Sequence, residues 1–525
     1  MNIADGELMQ GILGAGGFDV AHRPEDADVI LVNTCAIREH AEQRVLGRVG
    51  ELNRIKTTNP DVVIGVTGCM AQRLGETLLE RAPYVDLVMG PDGYRGLPQV
   101  LAKLRPEAAN GPAGSEAGDR TGPSSTDRPP ATARPAAPAV AGSVAASSTE
   151  PRPVRDADVD VGVHPRRSLP VLASSGEPPT MRAAPHAATI ARGSVPTGRV
   201  EGRTRLAVLE LAGDENYEGL EVRRTSSISA WVPVQRGCNY RCTYCIVPYV
   251  RGPEKNRAPE HVLDEVKDIA ARGITEVVLL GQTVNSYEHG DWRFPRLLRA
   301  IARLDGIRRV RFTSPHPNDV TPELVDVMAT EPAVCKQLHL PVQSGHDRTL
   351  KRMVRRYTVA AYLEKVRLVR ESIPGIALST DIIVAFPGET EEEYQATLDL
   401  VREVRYDDAF LYKYSLRDGT PATRLPADQF IAPDVAQSRL ERLIALQRSI
   451  QASINESELG RVVEALVERR AKSHGDMLGR TDGYKVVAFP GDETLVGRYV
   501  DVRLTGTTGA TFRGERVDGG LGRVA

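Results

Sequence analysis

Cysteine is scarce in this chain: 525 residues carry six. That is too few for a disulfide scaffold, and thiols that cluster in so long a chain point instead to metal binding or catalysis. Charge of one sign is lacking too. The formal net charge is −2, so any nucleic-acid surface has to be a local patch that bulk charge does not reveal. No apolar run approaches the roughly 20 residues of a membrane span. The opening "MNIADGELMQGILGAGGF" has no basic segment ahead of an apolar core, so it does not read as a secretory leader. From 111 to 200 there is no Phe, Trp, Tyr or Cys, while Pro, Ala, Ser, Gly and Arg dominate. Such a stretch buries little, and residues 107–205 are expected to be a disordered insertion. The chain as a whole has the ordinary composition of a soluble protein, 41% hydrophobic and 26% charged, and a cytoplasmic location without membrane attachment is expected.

The length predicts three or four folding units. Residues 1–106 alternate short β-rich runs, "ADVILVN" (27–33), "DVVIGVT" (61–67) and "VDLVMG" (85–90), with amphipathic stretches such as "AIREHAEQRVLGRVGELNRI". This is the pattern of an open parallel α/β sheet. Cys35 and Cys69 each follow one of its strands, at the edge where such sheets bind ligands. "GAGGF" (14–18) is not a dinucleotide fingerprint, since no strand precedes it. Residues 224–456 hold six further strand-like runs, at 229–235, 274–281, 308–314, 336–342, 376–386 and 409–415, with helical stretches between them. Six strands with interleaved helices predict a partial (βα)6 barrel. Residues 459–524 lose the helical period and show short strand-like runs broken by Gly and Asp, which predicts a small antiparallel β-barrel.

Three of the six cysteines fall within "RGCNYRCTYC": Cys238, Cys242 and Cys245. The loop follows the first barrel strand, so it belongs to the face where barrel active sites lie. Thiolates select zinc, copper(I) or iron–sulfur clusters. A structural zinc site needs four closed ligands, and no fourth Cys or His follows in the loop. A [4Fe–4S] cluster held by three cysteines keeps one iron open for a small molecule. Zinc and inert buried thiols stand as the rival readings.

The Cys-x3-Cys-x2-Cys spacing resembles that of radical S-adenosylmethionine (SAM) enzymes. The resemblance implies that the open iron chelates SAM, and that an electron passed to the sulfonium releases a 5′-deoxyadenosyl radical. With "VNTCAIREHAEQRV" and "GVTGCMAQ" ahead of the barrel, the chain looks like a methylthiotransferase. Further motifs carry the likeness: "LLGQTVNSY" (279–287), "FTSPHP" (312–317), "LHLPVQSGHDRTLKRMVRRYT" (338–358), "TDIIVAFPGETEEEY" (380–394) and "YSLRDGTPA" (414–422). The C-terminal part resembles the TRAM domain, an RNA-binding barrel. "NTCAIREHAE" and "GQTVNSY" are similar to the branch that converts N6-dimethylallyladenosine 37, in the tRNA anticodon loop, to its 2-methylthio derivative. Branches acting on ribosomal protein S12 or on threonylcarbamoyl-adenosine are the alternatives.

That resemblance implies two [4Fe–4S] clusters, one on Cys238, Cys242 and Cys245, the other on Cys35, Cys69 and a third cysteine. The family's "G-C-x-M-N" pattern aligns its last two positions with Met1 and Asn2, so the expectation is a start placed too far downstream. Two SAM per product, an external electron donor, a sulfur donor and a monomeric enzyme are also implied. Gly281 and Gln282 match the stretch that contacts SAM, although Gly281 serves equally as the turn ending a strand. His339 reads as a hydrogen-bonded core histidine as readily as a proton donor. Arg352, Arg355 and Arg356 with Tyr357 read as contacts to a carboxylate or phosphate, or as exposed helix-end arginines. Thr390 and Glu393 have the spacing of a capping box, and Cys335 reads as a small buried hydrophobe.

Overall fold

A computed structural model of the chain describes residues 1–35, 39–104, 195–200, 203–472 and 475–517. The expected insertion lies outside the described residues as far as 194. From 195 the structure differs from that expectation, because the chain returns to the N-terminal sheet. Strands Val29–Thr34, Val63–Gly68, Leu87–Met89 and Arg203–Val208 run parallel in that order, and Val195–Val200 closes the edge antiparallel to the last of them. Leu206 and Ala207 are buried, and Arg205 Nε donates to the Val85 carbonyl at 3.0 Å. Helices cover both faces, as parallel sheets require. Val45, Val49 and Leu52 pack with Ile30, Val32 and Ile64 on one side; Leu8, Ile12, Leu97 and Leu101 pack with Leu31, Val63 and Leu87 on the other.

All six barrel strands appear: Ser229–Pro233, Glu276–Leu280, Arg309–Phe312, Gln337–His339, Ala377–Val384 and Asp408–Lys413. They form two parallel sets of three, joined by a bridge between Val310 and Val334. Side chains alternate across each strand. Val277, Leu279, Val310 and Phe312 enter the helix-backed core. Glu276, Val278, Leu280, Arg309 and Arg311 therefore face the concave side. Ala4 of the N-terminal helix Asn2–Ala15 packs there against Val278 and Leu280.

Helix Pro433–Ser457 runs beside the last barrel strand and leads into a closed five-stranded barrel. Its strands are Val462–Arg470, Asp476–Thr481, Val486–Pro490, Tyr499–Thr507 and Thr511–Arg516. This small barrel docks on the N-terminal edge of the large barrel's strands, opposite the cysteine loop. Arg309 donates to the carbonyls of Arg480 and Glu464, at 2.8 and 2.9 Å. Arg311 donates to those of Asp482 and Thr481, both at 2.8 Å, and to Glu276 Oε2 at 3.1 Å. Asp482 Oδ2 accepts the Lys336 backbone N–H, and Lys485 pairs with Asp407. Among the described residues no helix is long and apolar enough to cross a membrane.

Candidate active site

Arg236 and Lys255 pair as a short antiparallel ladder that closes the base of the cysteine loop. Both cations grip Asp92 of the N-terminal domain, at 2.5 and 2.6 Å, and all three side chains are buried. Gly237, just before Cys238, has φ +72°, and a Cβ there would lie 1.9 Å from the Pro253 carbonyl oxygen. Only glycine fits this turn. The tip is gripped at Thr243, between Cys242 and Cys245. Its N–H donates to the Met353 carbonyl at 3.1 Å, its hydroxyl to that of Arg352 at 2.9 Å, and its own carbonyl accepts from Ala422 at 2.9 Å.

The stretches quoted for the family likeness converge on this loop. The Thr283 hydroxyl lies against Cys238. Asn285 and His316 exchange reciprocal bonds, side-chain amide to backbone, at 2.9 and 2.7 Å. The His316 ring stacks on Tyr240 of the loop, with centroids 3.8 Å apart. Burial, with the charges of Arg355 and Arg356, holds His316 neutral with a pKa of about 2. Its Nδ1 receives the Asn318 N–H, while its Nε2 is buried without a partner among the described residues. Arg355 is buried and donates from Nη1 to Cys242 Sγ at 3.5 Å, from Nη2 to the Pro341 carbonyl and from Nε to the Tyr357 hydroxyl.

Of the three arginines singled out in the sequence, then, only Arg355 reaches the sulfurs. Arg352 pairs with Glu393, which completes the capping box with Thr390, and Arg356 is exposed. Gly281 abuts the Gln235 side chain, whose amide bonds the Thr283 backbone, so close approach accounts for the missing Cβ. Gln282 Oε1 is buried without a donor among the described residues. His339 bonds Ser379 at 3.0 Å and faces Asp381 at 3.4 Å, a hydrogen-bonded histidine in the sheet. Cys335 is buried at the far edge beside Arg311 and Asp482, with its thiol pushed up by burial. Gly237, Thr243, Tyr240 and Asp92 were not read from the sequence. The glycine directly before the first cysteine was the one available signal.

Burial pushes the Cys238 thiol up, and that of Cys245 up to about 12. A thiol in such surroundings ionises when a cation compensates it. Among the described residues no three His, Cys, Asp or Glu groups converge tightly enough to hold a single metal ion. Three cysteines on one loop, with the Arg355 guanidinium on one sulfur, are the donor chemistry of a thiolate-held cluster.

Cys35 and Cys69 follow paired strands. The register Thr34 to Gly68 sets them side by side at one sheet edge. Cys69 opens the short helix Cys69–Leu74 and is buried against Ile246 and Val250, just beyond Cys245. The Arg251 guanidinium donates from Nε to Cys69 Sγ at 3.1 Å. The second pair of thiols thus adjoins the loop carrying the first three.

Comparison with known proteins assigns the three parts separately. Residues 232–401 match the Radical SAM superfamily, 1–90 the Uncharacterized protein family UPF0004, and 456–517 the TRAM domain. The tRNA-2-methylthio-N(6)-dimethylallyladenosine synthase of Moorella thermoacetica is 37% identical over 99% of this chain and 96% of its own length. Those of Carboxydothermus hydrogenoformans (37%, over 96% and 94%) and Symbiobacterium thermophilum (37%, over 99% and 92%) are equally similar. Among solved structures, the radical SAM methyltransferase TsrM from Kitasatospora setae aligns with TM-score 0.51 at 15% identity, covering 86% of each chain. That likeness is one of fold.

Proposed function

The chain belongs to the tRNA-2-methylthio-N(6)-dimethylallyladenosine synthase family, and from that membership we propose that it adds a methylthio group to C2 of N6-dimethylallyladenosine 37 of tRNA. It is a radical-SAM sulfur-group transferase, and SAM with a [4Fe–4S] cluster follows from the superfamily. Cys238, Cys242 and Cys245 hold that cluster, and Cys35 and Cys69 contribute to a second. Bound there, the first cluster would supply the electron that cleaves SAM, and the second would supply the sulfur chemistry that a further SAM methylates.

The chain's own residues position these parts. Arg355 and Thr283 orient the thiolates of Cys242 and Cys238. Gly281 and Gln282 would border the SAM site, and Gln282 Oε1 is a buried acceptor without a donor among the described residues. Neutral His316, stacked on Tyr240, contributes an N–H rather than a charge. The anticodon loop is a fitting target, because a single-stranded base can be splayed into an enclosed site whereas a stacked duplex shields adenine C2. The TRAM barrel contributes RNA affinity. An external electron donor, a sulfur donor, a monomeric state and a cytoplasmic location complete the proposal.

The observation that carries this reading is the packing of Cys69 on Ile246 and Val250. It holds the sulfur-donating side of the chemistry against the loop where the radical is generated. Anaerobic incubation with SAM, a reductant and tRNA bearing N6-dimethylallyladenosine tests it. Mass spectrometry of the nucleosides should show the 2-methylthio product. Unchanged tRNA, with modification found instead on a protein aspartate, would overturn it.

A further inference from the structure

In the second half of the large barrel, Leu338, Leu378 and Ile382 enter the helix-backed core. His339, Ser379, Asp381 and Phe410 therefore face the concave side, and all four are half-buried rather than sealed. This polar row lies just beneath the cysteine loop. Ile383, the next residue of the same face, shares an apolar cluster with Tyr244, which stands between Cys242 and Cys245. Two residues of strand rise separate it from Asp381, about 7 Å. Pro341, two residues past His339, accepts from Arg355, the donor to Cys242. His339 Nδ1 bonds the Ser379 hydroxyl at 3.0 Å, and its Nε2 faces Asp381 Oδ2 at 3.4 Å. The Asp381 side chain is 30% exposed and has no other hydrogen-bond or ion-pair partner among the described residues. Phe410, opposite Asp381 in the strand register, sets its ring edge-to-face against His339, with centroids 5.7 Å apart. A carboxylate steadied from one side and open on the other, beside an aromatic ring, joins an acceptor to a stacking surface. Unstacked bases are read by that pairing.

We propose that this wall receives the target adenine: Asp381 accepts its N6–H, Phe410 packs on the ring, and His339 with Ser379 holds the carboxylate in place. The inference rests on the substrate reading above. N6-dimethylallyladenosine keeps a single N6–H, and N6, N1 and C2 share one edge of the ring. Fixing the N6–H therefore fixes where C2 is presented to the loop above. A charged acceptor left unpaired by a substrate without that N–H is costly, so Asp381 also decides which adenines are accepted.

The test uses the full chain, reconstituted anaerobically, and two anticodon stem-loop RNAs that differ at adenosine 37. One carries the N6-dimethylallyl group; the other carries the same group plus an N6-methyl that removes the N–H. Mass spectrometry of the nucleosides gives kcat/KM for 2-methylthio formation on each, and SAM cleavage without RNA reports cofactor loading. The unsubstituted protein should prefer the N6–H substrate by about tenfold or more, as for a lost hydrogen bond to a charged group. Asp381→Leu keeps the volume and removes the acceptor, and should bring that preference below about twofold. Asp381→Asn, a neutral acceptor, should fall between, and it carries the comparison if Asp381→Leu does not load its cofactors. Phe410→Ala should lower kcat/KM about tenfold on both RNAs alike; an unchanged value would overturn its part. A preference absent from the unsubstituted protein, or unmoved in Asp381→Asn and in any loaded Asp381→Leu, would overturn the role of Asp381 alone. SAM cleaved while neither RNA is modified would overturn the substrate reading and this assignment with it.

Discussion

Replacing Arg311 with Met should loosen the small barrel from the large one, at a cost that the contacts set. The guanidinium is buried at the concave face and makes three bonds: to Glu276 Oε2 and to the carbonyls of Asp482 and Thr481. Met removes all three and leaves Glu276 buried and charged without its ion-pair partner. Breaking one side of a buried ion pair typically costs about 3–5 kcal/mol, and each carbonyl left bare adds about 1–3 kcal/mol where water cannot reach it. Against a domain stability of about 5–15 kcal/mol, that is a large fraction. The double variant Arg311→Met/Glu276→Leu removes the orphaned charge and should recover most of the first contribution. Urea unfolding gives the free energies, and hydrogen exchange over 462–516 reports whether the small barrel is the part released. The reasoning fails if the single substitution costs less than about 1 kcal/mol, or if the double variant is no more stable than the single.

Three other outcomes are expected. Cys245→Ala should abolish SAM cleavage and lower the iron content of the reconstituted protein; unchanged iron would show that these cysteines hold no cluster. Gly237→Ala puts a methyl group 1.9 Å from the Pro253 oxygen at φ +72°. Backbone strain of about 1–3 kcal/mol plus that clash should displace Cys238 and lower SAM binding, which equilibrium dialysis would detect; normal binding would contradict the turn described. His316 is neutral in the fold, with a pKa of about 2 set first by burial. Below pH 6.5 the unfolded chain binds a proton that the folded chain refuses, so stability falls by about 1.4 kcal/mol per pH unit. Urea midpoints at pH 7.5, 6.5 and 5.5 should show that slope flattened in His316→Gln; identical slopes would refute it.

Strand positions were legible because their side-chain period is strong. Five of the six barrel strands fall within their expected runs and the sixth, Asp408–Lys413, begins one residue ahead of its run, while Cys35 and Cys69 stand past their strands as the pattern implies. The cysteine loop was legible because its chemistry is local. Four features escaped for physical reasons. "RTRLAV" (203–208) joins the N-terminal sheet although the preceding ninety residues lack aromatics, and composition averaged over a window hides a short strand. Asp476–Thr481, "DMLGRT", has too few apolar residues to signal the fifth strand of the small barrel. Arg352, Arg355 and Arg356 are alike in sequence, and only packing decides which becomes the buried donor to Cys242. Docking of the small barrel through Arg309 and Arg311 was likewise invisible, since two arginines in a strand look like solvent-facing residues until a partner covers them.

The Asp92 clamp has a consequence for how the protein assembles. Arg236 and Lys255 stand at the two ends of the hairpin that carries Cys238, Cys242 and Cys245, and the carboxylate neutralising both belongs to another domain. Severed from that domain, an isolated barrel would hold two adjacent cations with nothing between them and would splay the hairpin open. The shape of the cysteine loop is thereby tied to domain docking, because the carboxylate that draws its two ends together comes from outside the barrel.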